Sequence, residues 1–135
     1  MDRKEARQYM QMAIEEMKKS VVENNKKDPS PHVGAVLIKP DGTVDKAHRG
    51  EFREGDHAEY TLLDKKNRDK DVSGSILFAT LEPCAKGARN APKISCSERI
   101  VNARIAEVWF GIEDPNPTVD HEGINYLLDN SVKVF

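Results

Sequence analysis

Apolar positions along the chain switch between two spacings, and the switches mark its elements. Over residues 2–24, Met10, Ile14, Met17 and Val21 recur at three- and four-residue steps with Ala13 beside them, while Lys and Glu fill the other positions. That period predicts an amphipathic helix with these residues inward. "NNKKDPSP" ends it, because Pro29 and Pro31 bias their predecessors to extended backbone. "HVGAVLIK" is a nearly continuous apolar run, rich in β-branched residues, and reads as a buried strand. A "PDGT" turn then leads into a second strand over 43–48, completing a hairpin. After a polar loop, Asp56 is placed to cap a helix over 57–66 whose Ala58, Leu62 and Leu63 face inward. "SILFATL" and "AEVWFGI" are two further apolar strands, separated by a helix at about 96–103 that carries Ile100 and Val101. A helix at about 120–129 and a strand at "VKVF" close the succession.

The order is α-β-β-α-β-α-β-α-β. After the hairpin, helix and strand alternate, which predicts an α/β fold with a largely parallel sheet and helices on both faces. The 135 residues are enough for one domain with its own core, spanning 1–135. Composition narrows the function classes. With 33% charged residues and a net charge of −2, the chain has a well-solvated surface and no overall polycationic character. Only 6% of residues are aromatic, so a basic groove with stacking rings for nucleic acid is disfavoured. No apolar run reaches the roughly 18 residues of a membrane span. The charged, amphipathic N-terminus lacks the apolar stretch of a signal peptide. These features predict a cytosolic protein with reduced thiols, which argues against a structural disulfide between Cys84 and Cys96.

Those two cysteines are the only ones in the chain. With His57 they supply two thiolates and one imidazole, a tetrahedral donor set for Zn²⁺ that leaves one position open. A catalytic zinc needs that open position. His57 and Cys96 both fall at expected helix starts, where the partial positive charge of the helix end favours thiolate over thiol. Glu59, two residues after His57, is placed to work on a zinc-bound water instead of ligating the metal. Zinc lowers the pKa of such a water to about 7, and a carboxylate can take its proton and pass it to a leaving amine. The pattern is similar to that of zinc nucleobase deaminases, H-x-E followed by P-C-x-x-C. Here "HAE" stands at 57–59 and "PC" at 83–84, but residues 85–95 separate the cysteines.

Longer segments sharpen this likeness. "PSPHVGAVLI", "AHRGEFREGDHAEYTLL", "FATLEPCAKGARNAP", "DPNPTV" and "LLDNSVKVF" follow one another along most of the chain. In that order they resemble the deaminase domain of the bifunctional riboflavin-biosynthesis pyrimidine deaminase/reductase. The resemblance implies a three-layer α/β/α cytidine deaminase-like fold with a five-stranded mixed sheet. It also implies hydrolytic loss of an exocyclic amine from a small pyrimidine-type nucleotide. His57, Cys84 and Cys96 would be the zinc ligands and Glu59 the proton shuttle. Ser30, His48, Lys86, Arg89, Asp114 and Asn116 would lie along the substrate. Several positions depart from the family pattern. Ser30 stands where the family has Asn, Lys86 stands where it has His, and Lys93, Ile94 and Ser95 look inserted just before Cys96. The zinc chemistry is untouched by these changes, which fall on loops that would read the substrate. The basic position at Arg89 is retained, and with Lys86 and Lys93 it could meet a phosphate.

Two other readings compete. One is a deaminase of another free base, nucleoside or nucleotide, or of RNA or DNA, the nucleic acids being disfavoured by charge and aromatic content. The other is a non-catalytic binding or regulatory domain, which the loss of Glu59 or of a ligand would have signalled. Relatives of this fold are often oligomeric, which leaves self-association open for this chain, and bifunctional members of the family continue into a reductase domain beyond the position of Phe135. The chain therefore reads either as a stand-alone deaminase or as the deaminase part of a longer protein.

Overall fold

The computed structural model describes residues 1–21, 32–53, 55–81, 95–112 and 122–135. The elements are α1 (Arg3–Met17), β1 (Gly34–Ile38), β2 (Val44–His48), α2 (Ala58–Tyr60), β3 (Ile76–Leu81), α3 (Cys96–Asn102), β4 (Glu107–Ile112), α4 (Glu122–Asp129) and β5 (Lys133–Val134). The α2 turn runs without a break into a π-helical segment, Thr61–Lys66.

The strands form one five-stranded sheet in the order β2-β1-β3-β4-β5. β1 pairs antiparallel with both β2 and β3, while β3–β4 and β4–β5 are parallel. The sheet is therefore mixed, as the family resemblance implied, and not largely parallel, as the alternation of elements suggested. The connection through α2 carries the chain past β1, so β3 pairs on the far side of the hairpin instead of beside β2.

Side chains alternate across each strand and build two cores. Ala35, Leu37 and Leu77 pack with Leu62, Ile100 and Leu127 under α2, α3 and α4. Val36 and Phe78 pack on the opposite face with Ala6 and Ala13 of α1. Rings extend this second core sideways, with Phe78 stacked on Trp109 at 5.7 Å and Trp109 on Phe135 at 4.5 Å. Helices thus cover both faces, as the alternation predicted.

The inward face of α1 differs from expectation. Its fully buried residues are Ala6, Ala13 and Glu16; Met10, Ile14 and Met17 are only partly buried, and Val21 is exposed beyond the helix end. The reason is a close approach between backbones. A Cβ on Gly34 would fall on the Ala13 carbonyl oxygen and lie 2.5 Å from the Met17 nitrogen. The helix sits so low on β1 that small residues occupy the contact line and longer ones flank it.

Gly34→Ala is expected to destabilise the protein by about 3 kcal/mol, since the atoms in the way are backbone of α1 and cannot give way. Gly42→Ala, in a turn with φ +89° and no neighbour within reach of a Cβ, should lose only about 1–2 kcal/mol. Urea denaturation at unchanged m-value measures both. Equal losses at the two glycines would contradict the close approach.

Candidate active site

Two helix starts converge at one edge of the core. His57 is the N-cap residue of α2, and Cys96 is the first residue of α3. His57 Nδ1 and Cys96 Sγ stand 3.3 Å apart across 39 residues of sequence. Zn–N and Zn–S bonds of about 2.0 and 2.3 Å at a tetrahedral angle place the two donors about 3.5 Å apart. The observed separation therefore suits two ligands of one zinc ion. Cys96 is fully buried. Glu59, on the first turn after His57, is 4% exposed, although Glu is rarely buried this far.

The start of α3 is held by Ser95. Its Oγ accepts from the Glu98 backbone N–H at 3.2 Å and donates to the Glu98 carboxylate at 3.1 Å. Ser95, read from the sequence as the last of three inserted residues, is thus the cap that fixes the orientation of Cys96. The S-x-x-E spacing of "SCSE" is a capping signal that could have found it. Asp56 does not cap α2. His57 takes that position, and the buried Asp56 carboxylate instead accepts from Arg53 Nη2 at 3.2 Å.

His48 closes β2 inside a network that its sequence gave no sign of. Its Nδ1 lies 2.8 Å from Glu16 of α1 and 3.4 Å from Glu51. Lys19 pairs with Glu16 at 3.2 Å, and Lys66 of the π-helical segment pairs with Glu51 at 2.6 Å. Burial works to raise the pKa of the Glu16 carboxyl, but the hydrogen bonds from His48 and Lys19 outweigh it and hold it below the ordinary 4.5. Glu16, His48 and Glu51 bring three donor atoms within 4.8 Å of one another and could hold a cation. Each carboxylate already has a lysine partner, so the charges are balanced without a metal. The network ties α1 to the loop leading into His57. That loop is closed by Gly50 N–H donating to the Asp56 carbonyl at 3.0 Å.

Ser30, Cys84, Lys86, Arg89, Asp114 and Asn116 lie outside the described residues. Of the expected site residues, the structure thus brings together His57 and Cys96, with Glu59 beside His57, and places His48 in the network with Glu16. A cleft of about 480 Å³ between Asp64, Asn67, Arg68 and Arg104 contains none of them. It opens at the opposite end of α3 from Cys96.

Together these features define an α/β/α protein that presents two helix N-termini and a His/Cys donor pair beside a buried carboxylate. The family model for the cytidine and deoxycytidylate deaminase zinc-binding region matches residues 3–112, and the chain belongs to that family. It is 33% identical over 126 residues to the riboflavin biosynthesis protein RibD of Actinobacillus pleuropneumoniae, covering 93% of this chain and 31% of that protein. It is 32% identical over 130 residues to the diaminohydroxyphosphoribosylamino-pyrimidine deaminase of Schizosaccharomyces pombe, covering 94% and 31%. The structure of the deaminase/reductase of Thermotoga maritima superposes with a TM-score of 0.76 at 28% identity, covering 95% of this chain and 35% of that one. The dCMP deaminase of cyanophage S-TIM5, solved with dCMP and dUMP, superposes at 0.71 with 25% identity, covering 100% and 98%. The chain spans about a third of the RibD-type relatives. Among the described residues, no helix is long and apolar enough to cross a membrane.

Glu16→Gln should destabilise the protein at pH 7 by about 2 kcal/mol, chiefly through the bond to His48, because the Lys19 partner is exposed. A carboxyl with a depressed folded pKa stabilises above its unfolded pKa, and that contribution fades as pH falls through the folded one. The gap between parent and variant should therefore close below about pH 4.5. Denaturation midpoints from pH 7 down to 3 test this; a gap independent of pH would contradict it.

Proposed function

We propose that this chain is a zinc-dependent hydrolytic deaminase of a small pyrimidine-type nucleotide, with the diaminopyrimidinone ribosylamine phosphate of riboflavin synthesis as its first candidate substrate. The observation that carries the reading is the 3.3 Å approach of His57 Nδ1 to Cys96 Sγ, with Glu59 buried two residues after His57. His57, Cys96 and Cys84 are the proposed zinc ligands and Glu59 the proposed proton carrier.

Bound zinc supplies Lewis-acid chemistry, lowering the pKa of a coordinated water to about 7. The residues of the chain do the rest. His57 and Cys96 hold their donor atoms at fixed helix starts, so little reorganisation accompanies metal loading. The N-terminus of α3 stabilises the Cys96 thiolate. Glu59 takes the proton released as the water oxygen bonds to the ring carbon. It then delivers a proton to the exocyclic nitrogen, the C–N bond breaks, and ammonia leaves. Burial of Glu59 keeps bulk water from competing for that proton.

Ser30, Lys86, Arg89, Asp114, Asn116 and His48 are proposed substrate contacts. Arg89 and Lys86 offer charge to a phosphate, and Ser30 offers a hydroxyl where the family pattern has an amide. The likeness to the RibD-type relatives favours their substrate over dCMP. We further read the protein as cytosolic and self-associating, acting on free nucleotides rather than nucleic acid.

The purified chain is expected to bind one zinc ion and release ammonia from the riboflavin precursor. Glu59→Gln should keep the zinc and lose about 10²–10⁴-fold in kcat. His57→Ala should lose the zinc itself. Ammonia release from the precursor and from dCMP, alongside zinc content, tests all three expectations. Full turnover by Glu59→Gln would overturn the assigned role, and turnover of dCMP alone would reassign the substrate.

A further inference from the structure

The two segments that bring His57 and Cys96 together differ in stiffness. α3 is a regular helix with a Ser95 cap. α2 has only Ala58–Tyr60 in α geometry before it widens into the π-helical Thr61–Lys66. π-helical turns have poorer hydrogen-bond geometry and occur mostly as short insertions, often at functional sites. The segment carrying His57 and Glu59 is therefore the one in need of external support.

Arg99 is placed to give it. It lies one turn beyond Cys96 on α3, with its side chain only 11% exposed. Its guanidinium sits over the ring of Tyr60, 4.5 Å from the centroid, and Tyr60 directly follows Glu59. The same guanidinium donates through Nη1 to the carboxylate of Asp64, one turn further along in the π-helical segment. One planar cation thus grips both halves of the irregular helix, from the helix that begins with Cys96. A flat, forked cation can stack on a ring and pair with a carboxylate at once, whereas an ammonium cannot reproduce both contacts.

We propose that Arg99, with Tyr60 and Asp64, is a positioning clamp that sets the separation of His57 and Cys96 and so preorganises the zinc site. This inference rests on the zinc-site reading above. Arg99 acts through Tyr60 and Asp64, by fixing the two backbones that carry the donor atoms. Partners lying outside the ligand shell of a metal typically change affinity by 10–100-fold when removed.

The test is zinc affinity, measured on the full chain by competition with a chromogenic chelator, for the parent, Arg99→Ala, Arg99→Lys and Asp64→Asn. Circular dichroism melts of the zinc-free forms report folding separately. Arg99→Ala should weaken zinc binding about 10–100-fold. Arg99→Lys should recover only part of that loss, and Asp64→Asn should fall between the parent and Arg99→Ala. If Arg99→Ala does not fold, the other two variants carry the test. Folded variants that bind zinc as tightly as the parent would overturn the clamp while leaving the zinc site standing. A parent chain that takes up no zinc would overturn both.

Discussion

The approach of His57 Nδ1 to Cys96 Sγ is the constraint to which much of the fold answers. The tetrahedral metal proposed here tolerates only a narrow range of donor separations, and the two proposed donors come from segments 39 residues apart. Neither side chain can meet the requirement alone, so the backbones must be fixed first. The fold does this by starting a helix at each donor and packing both helices on one face of the sheet. Ala58, Leu62 and Ile100 are all fully buried in the shared core beneath them. Local chemistry then trims the geometry, with the Ser95 cap orienting α3 and the closed Gly50–Asp56 loop delivering the chain to His57.

The opposite face of the sheet takes part indirectly. α1 lies low on β1 because Gly34 and Ala13 leave room for backbone contact. That depth lets Glu16 reach His48 at the end of β2, and Glu51 extends the link to Lys66. Charged groups thus tie the α1 layer through the hairpin edge to the segment that follows Glu59. Exposed ion pairs contribute little to stability, whereas a buried carboxylate bonded to an imidazole is costly to disrupt. The Glu16–His48 contact is therefore the dominant link of that chain.

Much of this was legible in the sequence, and the reasons differ by element. Strands with continuous apolar runs were found within a residue or two, since burial on both faces leaves little ambiguity. The nearness of His57 to Cys96 was legible because both are scarce residue types at helix starts. The inward face of α1 was legible only in part: Ala13 is buried and Met10 packs against the second core, but a hydrophobic period cannot show that a glycine elsewhere will bring two backbones together. The mixed sheet was less visible from the alternation of elements alone, because strand order depends on which side of the hairpin β3 joins. The π-helical widening after Tyr60 leaves the apolar period of Ala58, Leu62 and Leu63 intact, so periodicity could not show it. Arg99, Asp64 and Glu16 carry no local signal at all: each is an ordinary charged helix residue until the tertiary structure supplies its partner.

Among the described residues, two sets compete as metal sites on chemical grounds: a nitrogen and sulfur pair at His57 and Cys96, and an oxygen-rich set at Glu16, His48 and Glu51. X-ray absorption at the zinc edge of the metal-loaded chain separates them most directly. One zinc per chain is expected, with one nitrogen donor at about 2.0 Å, two sulfur donors at about 2.3 Å and a light atom in the remaining position. A shell of nitrogen and oxygen alone would place the metal in the Glu16–His48–Glu51 cluster and overturn the His57–Cys96 site.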